Sequence, residues 1–551
     1  MHEVGLDLVT GTRLRERVSA PARVGLRTDR LLVVLAALSG LSAAIVSLVA
    51  TSRGPGLSPD STEYLSTGLN LAAGGGLRSF TGAELTIFPP GLPVVVAVGH
   101  WLGLSTSWTV RLFNALAFGA TVWLGFALLR RHIRSMVLVA GGTVLLAVSA
   151  PLLAMAEMAW TEPAFIAIAL AFVLVLEDAC DAPHPARLLA LAAVVAWLGF
   201  RFRYAGVALI PAGALSVLLG RRARGWRQAF GSAVGFGLAA SAVPLLWMGR
   251  NHLVDGTFLG PRAPSTDSMT AVVGRFWLVL GEWALPGFSA SHQRVVGGAV
   301  AVVGVALLAG VLVTSFSGRA GRGLGRTASP IPLLCFAGAY TAYLVLAQLT
   351  TAFDQLDTRL LSPLYVPLVV LSVLGIDRLE LALPGRRRAI ASSLVGAALA
   401  LLVLFQAQAF ARDAHQSSGS SPELAAHGWS SSTLVHAAAA IPARAHLYSN
   451  VPDAVWAESG RQPTLFSPLR KAYRSSRALQ VPSTFVSTMG CADTWLAWST
   501  DPAAGDYFTP RQLAAYVDLR AVSIEPDGIL YRMTPRAGAP AAAAGCRPRT
   551  K

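Results

Sequence analysis

A short acidic segment follows the first long apolar run of the chain. Residues 58–64 include Asp60 and Glu63, and they lie where the bilayer is expected to meet water. A carboxylate at that depth loses hydration, so it needs a partner or a chemical role such as general-base catalysis. Two interpretations of Asp60 stay open: a catalytic base, or a helix cap that forms a box with Glu63.

A second acidic pair lies in the next connection on the same expected face. Glu157 and Glu162 fall within residues 156–163. Glu162 could simply stabilise a helix N-terminus beside Pro163, where the helix dipole favours anions. Glu157 has no such explanation. Because two costly carboxylate clusters meet at one membrane face, Asp60, Glu157 and Glu162 are the candidate catalytic residues.

Several arginines share this expected face, although the positive-inside rule disfavours them there. A phosphate headgroup would explain them, because guanidinium groups bind phosphate through paired hydrogen bonds. The alternatives are ion pairs with nearby aspartates or contacts with ordinary lipid phosphates. As a set they predict phosphate binding, with Arg359 and Arg203 the preferred pair. The arginines are Arg201, Arg203, Arg250, Arg262 and Arg359.

These residues must be positioned by membrane helices. Of 551 residues 54% are hydrophobic and 13% are charged, about half the charged fraction of soluble proteins, which indicates a polytopic membrane protein. The formal charge of +16 comes mostly from short arginine clusters between apolar runs, which excludes nucleic acid as the expected partner.

We expect about eleven transmembrane helices, with the N-terminus in the cytoplasm and the arginine clusters on the cytoplasmic side. The run at residues 91–104 is too short to count and is expected to be re-entrant or interfacial. The expected spans lie near 31–50, 108–129, 136–153, 162–177, 188–200, 205–220, 229–248, 295–315, 330–350, 360–376 and 389–410.

The fold class expected is an all-α polytopic membrane domain followed by a small extracytoplasmic α/β domain. Residues 1–30 form a basic cytoplasmic N-terminus, and residues 31–410 form the membrane domain, whose first external loop is 51–107. Residues 411–534 form the α/β domain, and the Ala/Pro/Arg-rich residues 535–551 are expected to be disordered. Cys491 and Cys546 either pair in this external tail or stay free.

The order of these features resembles the GT-C superfamily of membrane glycosyltransferases, especially the protein O-mannosyltransferases and the aminoarabinose transferases. The resemblance covers roughly residues 25–410. It rests on loop order, and the residues that carry it are Asp60 and Tyr64, then Pro89-Pro90-Gly91, Arg111, the acidic second loop, Arg250-Asn251 with Gly256, and Arg359-Leu360-Leu361-Ser362-Pro363.

The resemblance implies inverting transfer of a sugar from a polyprenyl-phosphate donor to an acceptor hydroxyl at the outer face of the plasma membrane. It implies that Asp60 is the catalytic aspartate and that Glu157 or Glu162 is the second acidic residue. Tyr64 and Arg111 join the five arginines as candidate substrate-binding residues. The acceptor stays open among glycan, lipid and protein.

Other functions remain open. The cofactor is unknown: metal dependence varies within the superfamily, and the sequence has no metal-ligand motif. The main alternative function is a transporter or flippase of lipid-linked saccharides, for which paired broken helices and mid-membrane charges are expected. A third is a non-catalytic scaffold, although an anchor requires only one or two spans.

Overall fold

The computed structural model describes residues 22–316, 329–419, 429–471, 478–482, 485, 493–501 and 506–536. Most of this chain is helical. Its α-helices are α1 (Ala22–Ala50), α2 (Pro59–Ala72), α3 (Gly91–Trp101), α4 (Thr106–His132), α5 (Met136–Ala147), α6 (Ala150–Glu157), α7 (Glu162–Asp181), α8 (Ala186–Phe202), α9 (Leu209–Gly220), α10 (Trp226–Asp255), α11 (Met269–Ala284), α12 (Ala290–Phe316), α13 (Ile331–Thr350), α14 (Thr358–Ala382), α15 (Gly385–Gly419), α16 (Thr433–Ala439), α17 (Pro452–Ser459) and α18 (Pro510–Leu513).

Nine helical segments of the described chain are long and apolar enough to cross a membrane. They are α1, α4, the pair α5–α6, α7, α10, α12, α13, α14 and α15. The two further spans predicted near 188–200 and 205–220 correspond to the shorter helices α8 and α9. Because these two are consecutive, counting both or neither leaves the predicted side of every later arginine cluster unchanged.

The first long connection carries α2 and α3, which pack against each other. With 11 residues, α3 is too short to cross a bilayer as a helix. The close approach depends on Gly68, because a Cβ atom added there would lie 2.5 Å from Cβ of Val96. This packing holds the start of α2 at one end of the helical bundle.

Charged residues also meet at the opposite end of the bundle. His132 lies 2.8 Å from Glu177, and Arg131 pairs with Asp178 at 2.7 Å. Arg221 is buried and donates to the carbonyls of Ala179 and Ala182, at the C-terminal end of α7, where the helix dipole favours a cation. These contacts tie α4, α7 and α9 together.

The C-terminal part of the chain forms a five-stranded mixed sheet in the order β2-β1-β3-β5-β4. β1 runs parallel to β2 and β3, whereas β5 runs antiparallel to β3 and β4. The predicted fold class, a helical membrane domain with a small C-terminal α/β domain, is confirmed. The strands are β1 (His446–Ser449), β2 (Thr464–Phe466), β3 (Thr494–Ser499), β4 (Val517–Glu525) and β5 (Gly528–Pro535).

The edge strand β2 lies against the first long connection. The amide of Thr464 donates to the carbonyl of Phe80 at 3.1 Å, and Asn70 donates to the Gln462 side chain at 2.9 Å. The buried Phe80 ring lies 6.0 Å from Trp456 of α17. The sheet therefore supports the loop that carries α2.

Some predictions concern residues outside the described chain. The Cys491–Cys546 alternatives, the arginines of residues 319–326, most of the basic N-terminus and residues 537–551 all lie there.

Candidate active site

The N-terminus of α2 presents Asp60. Ser58 caps the helix, and its side chain and that of Ser61 form a reciprocal capping box, with Pro59 as the first helical residue. The alternative in which Asp60 forms a box with Glu63 is therefore wrong, because the helix begins before Asp60. Freed from capping, Asp60 keeps 26% of its side chain exposed.

The second carboxylate, Glu162, lies at the N-terminus of α7 and is fully buried. Its Oε1 atom pairs with the guanidinium of Arg203, the residue that follows α8. Arg203 also donates to the Thr161 hydroxyl at 3.3 Å. A buried carboxylate requires such compensation, and the helix N-terminus adds to it.

Arg359, in the first turn of α14, joins the two acidic residues. Its Nη2 atom lies 2.6 Å from Oδ2 of Asp60, and its Nε atom lies 2.5 Å from Oε1 of Glu162. A third, longer contact of 3.5 Å reaches Asp354. The guanidinium also lies 4.2 Å from the ring centroid of Trp160, a cation–π geometry. The cluster of Asp60, Glu162, Arg203 and Arg359 is hereafter the charge cluster.

Backbone contacts bring the two acidic segments together. Gly56 donates to the carbonyl of Glu157 and accepts from the amide of Ala159, both at 2.8 Å. Asn114 of α4 donates to the carbonyl of Met158 at 2.7 Å. The Trp160 indole donates to the Ser58 hydroxyl at 2.7 Å, which couples the cation–π surface to the cap of α2.

Tyr64 lies one turn after Asp60. Its buried ring lies 4.8 Å from the ring of Phe88. Burial raises the pKa of the Tyr64 hydroxyl above its usual value, and the charge of Asp60 adds to the effect. Tyr64 therefore stays a neutral phenol beside the charge cluster.

The other predicted residues lie apart from the charge cluster. Glu157 is buried, and its Oε2 atom accepts from Ser417 of α15 at 2.9 Å. Arg111 binds the carbonyl of Leu48 at 2.8 Å and the hydroxyl of Thr51 at 3.2 Å, so it caps the end of α1.

Three predicted arginines lie on or near α10. Arg250 pairs with Glu84 at 2.8 Å, and both Arg250 and Arg201 lie about 5 Å from the Trp247 ring. Arg262 is exposed and donates to the carbonyl of Ile87 at 2.9 Å. Within the described chain, neither Arg201 nor Arg262 pairs with a carboxylate. The sequence analysis did not single out Trp160. Its position between Glu157 and Glu162 could have indicated a role in the site.

Two adjoining cavities lie beside α15: the larger between α15 and the connection from α11 to α12, and the smaller between α6, α11, α14 and α15. The larger has a volume of about 580 Å³ and is lined by Phe288 and Phe405. The smaller has about 340 Å³ and reaches Thr358, the residue before Arg359. The described residues contain no group of three or more His, Cys, Asp and Glu side chains that could hold a metal ion.

Comparisons with known proteins agree on the fold. No protein-family model matches the sequence, and no curated protein matches it. The structure of ArnT from Cupriavidus metallidurans in the apo state covers 92% of this chain and 98% of its own, with a TM-score of 0.57 at 13% identity.

Two similar structures contain a bound lipid phosphate. ArnT from the same organism bound to undecaprenyl phosphate has a TM-score of 0.54 at 15% identity and covers 93% of this chain and 98% of its own. The oligosaccharyltransferase AglB from Archaeoglobus fulgidus, in complex with an inhibitory peptide and a dolichol-phosphate, has a TM-score of 0.50 at 13% identity. The match covers 92% of the present chain and 75% of the AglB chain. The present chain therefore has the fold of the GT-C superfamily of membrane glycosyltransferases.

Proposed function

We propose that this protein is an inverting glycosyltransferase that moves a sugar from a polyprenyl-phosphate donor to an acceptor hydroxyl at the outer face of the cell membrane. The observation that carries the proposal is the charge cluster, in which a partly exposed Asp60 is held by Arg359 beside the buried Glu162. The polyprenyl phosphates bound in two structures of the same fold support this donor class.

Asp60 is the proposed general base. It takes the proton of the acceptor hydroxyl while the acceptor oxygen bonds to the anomeric carbon and the bond from that carbon to the donor phosphate breaks. The electron pair of the broken bond leaves with the lipid phosphate. Arg359 fixes the rotamer of Asp60, and general-base assistance is typically worth about 10²- to 10⁴-fold.

Charge balance favours other arginines for the departing phosphate. Arg203 and Arg359 already face Asp60, Glu162 and Asp354. We therefore give this pair the role of holding the carboxylates, in place of the phosphate binding that the sequence led us to expect. The charges of Arg203 and Arg262 both act on Tyr343.

Arg262 acts electrostatically on the same tyrosine as Arg203 and pairs with no carboxylate of the described chain. We assign the phosphate to Arg262 and to Arg201, which also pairs with no carboxylate of the described chain. The smaller cavity reaches Thr358, so it offers room for a ligand next to Arg359.

The test uses purified protein in proteoliposomes with a panel of polyprenyl-phosphate sugars, with spontaneous hydrolysis subtracted. We expect the wild type to consume one of these donors and Asp60→Asn to reduce transfer by about 10²-fold or more. The matched control is Asp267→Asn, which removes another ion-paired carboxylate, 2.8 Å from Arg275, and should retain transfer. Wild-type-like turnover by Asp60→Asn removes Asp60 from the role, and a wild type that consumes no donor contradicts the function.

The proposed orientation has its own test. In a cysteine-free variant, a membrane-impermeant thiol reagent should label Ser52→Cys in intact cells but should label His184→Cys only after permeabilisation. Both positions are exposed, and they follow α1 and α7 respectively. The reverse labelling pattern would place the charge cluster in the cytoplasm.

A further inference from the structure

Glu63 differs from the other carboxylates near Asp60. Asp60 and Glu162 each contact a guanidinium group. Glu63 is partly buried beside Ser79, and no cation of the described chain pairs with it. An acidic side chain without a cation in a partly buried place either holds a proton or exchanges one.

Glu63 follows Asp60 by three residues in the first turns of α2. Side chains at that spacing are neighbours on one helix face, with Cβ atoms about 5–6 Å apart. The two carboxylates interact electrostatically. The capping box at Ser58 and the packing of α2 on α3 and α17 fix this pair.

Other charged groups near α2 do not act on Glu63. His100 lies at the end of α3, Asp453 and Glu458 lie on α17, and Arg78 of the loop after α2 pairs with Glu84 at 2.8 Å. Asp60 is the charge that acts on Glu63. Burial is the main cause that raises the pKa of Glu63 to about 7, the charge of Asp60 adds to it, and the Ser79 hydrogen bond opposes it.

We propose that Glu63 accepts the proton that Asp60 has taken from the acceptor hydroxyl and then releases it to solvent. The inference rests on the proposed glycosyl transfer and adds the step that resets Asp60. An O–H bond breaks on Asp60 and forms on Glu63, and the net product of the cycle is one proton in water.

Basicity explains the direction of this transfer. The guanidinium of Arg359 stabilises the ionised form of Asp60, so Asp60 gives up a proton readily. Glu63 lacks such a cation and binds the proton more tightly. It can serve only when ionised, so transfer should fall as the pH decreases through about 7.

The experiment measures the pH profile of sugar transfer between pH 5.5 and 8.5 for the wild type, Glu63→Gln and Glu63→Asp. The control is Glu458→Gln, which makes the same substitution at an exposed glutamate of α17. We expect the wild type to lose activity below pH 7. Glu63→Gln should be slower at pH 8 by about tenfold or more and flat across the range. Glu63→Asp should restore a pH-dependent limb, and Glu458→Gln should match the wild type.

A second measurement is independent of turnover. Infrared difference spectra of the protein in proteoliposomes should show a carboxylic C=O band that titrates near pH 7 and is missing in Glu63→Gln. An absent band, or an acidic limb that persists in Glu63→Gln, overturns the relay while leaving the transferase proposal intact. A wild type that transfers no sugar overturns the proposed function, and the relay with it, whatever the spectra show.

Discussion

Charged side chains are buried at both ends of the helical bundle, but they are compensated differently. At the end with His132, Glu177 contacts both His132 and Arg131, but Arg131 and its other partner, Asp178, are 34% and 52% exposed. Arg221 binds helix-terminal carbonyls there. At the end with Asp60, Arg359 is shared by three carboxylates and Glu162 by two guanidiniums.

The difference indicates where chemistry can occur. The guanidinium of Arg131 is open to solvent, so its contacts join helices and water can replace a partner that it loses. The guanidiniums of Arg203 and Arg359 are nearly buried, and their network includes the partly exposed Asp60, so it can exchange one partner for a substrate without leaving a bare buried charge. The end with Asp60 therefore suits catalysis, and the end with His132 suits stability.

The strongest test of this contrast removes Glu162. Glu162→Gln leaves Arg203 and Arg359 buried without the carboxylate they share, and we expect it to destabilise the protein by about 3–5 kcal/mol and to abolish transfer. Thermal unfolding in detergent measures the loss. The matched control is Glu177→Gln, which should cost less because its guanidinium partner, Arg131, keeps Asp178 at 2.7 Å and is 34% exposed. Equal costs would contradict the contrast.

Arg262→Ala separates substrate binding from structure. Loss of charge-assisted hydrogen bonds to phosphate should raise the KM for the donor about 10- to 100-fold, with an unchanged melting temperature because Arg262 is exposed. Arg111→Ala should do the opposite, lowering the melting temperature by removing the cap of α1 while the KM stays the same. Donor titrations and melting curves of both variants decide the assignment, and an unchanged KM in Arg262→Ala counts against it.

Glu63→Gln tests whether an unpaired acid weakens the folded state. The pKa of Glu63 is raised to about 7, so its contribution to stability is complete below the unfolded value of 4.5 and is lost as the pH rises through 7. The Gln variant cannot ionise. At pH 8 it should melt a few degrees higher than the wild type, and the difference should shrink towards pH 4.5. A lower melting temperature at pH 8 would show that the ionised Glu63 has a cation partner.

The smallest effect is expected at the end with His132. Asp178→Asn removes an ion pair whose partners, Arg131 and Asp178, are 34% and 52% exposed. Solvent screens such pairs, so the cost should be below about 1 kcal/mol, with transfer unchanged. Urea unfolding at low and high salt measures it, and a large loss would mean that the two ends do not differ as described.

The sequence predicted the nine long apolar segments of the described chain because runs of bilayer length are distinctive, whereas the shorter runs of α8 and α9 were counted as two further spans. It predicted the acidic loops because charges near a membrane are conspicuous. It could not choose between Glu157 and Glu162. Both lie in one short segment, and only tertiary packing turns Glu157 towards Ser417 and Glu162 towards Arg359.

The cap of α2 was also assigned two residues too late. Both Ser58 and Asp60 have side chains that can cap a helix, and the two placements of the helix start differ by only two residues, within the usual error of such assignments. The role of Trp160 was missed because an aromatic near an interface fits the ordinary aromatic belt.

The hydrogen bond from Thr464 to Phe80 has a consequence for biosynthesis. The ribosome makes Thr464 nearly 400 residues after Phe80, which corresponds to about 20–80 s of translation. During that interval the nascent chain has already threaded its early helices into the bilayer, yet Phe80 still lacks its backbone partner. A nonsense mutation between residues 420 and 464 should therefore yield a fully inserted protein that never acquires this contact, a product suited to proteolytic clearance.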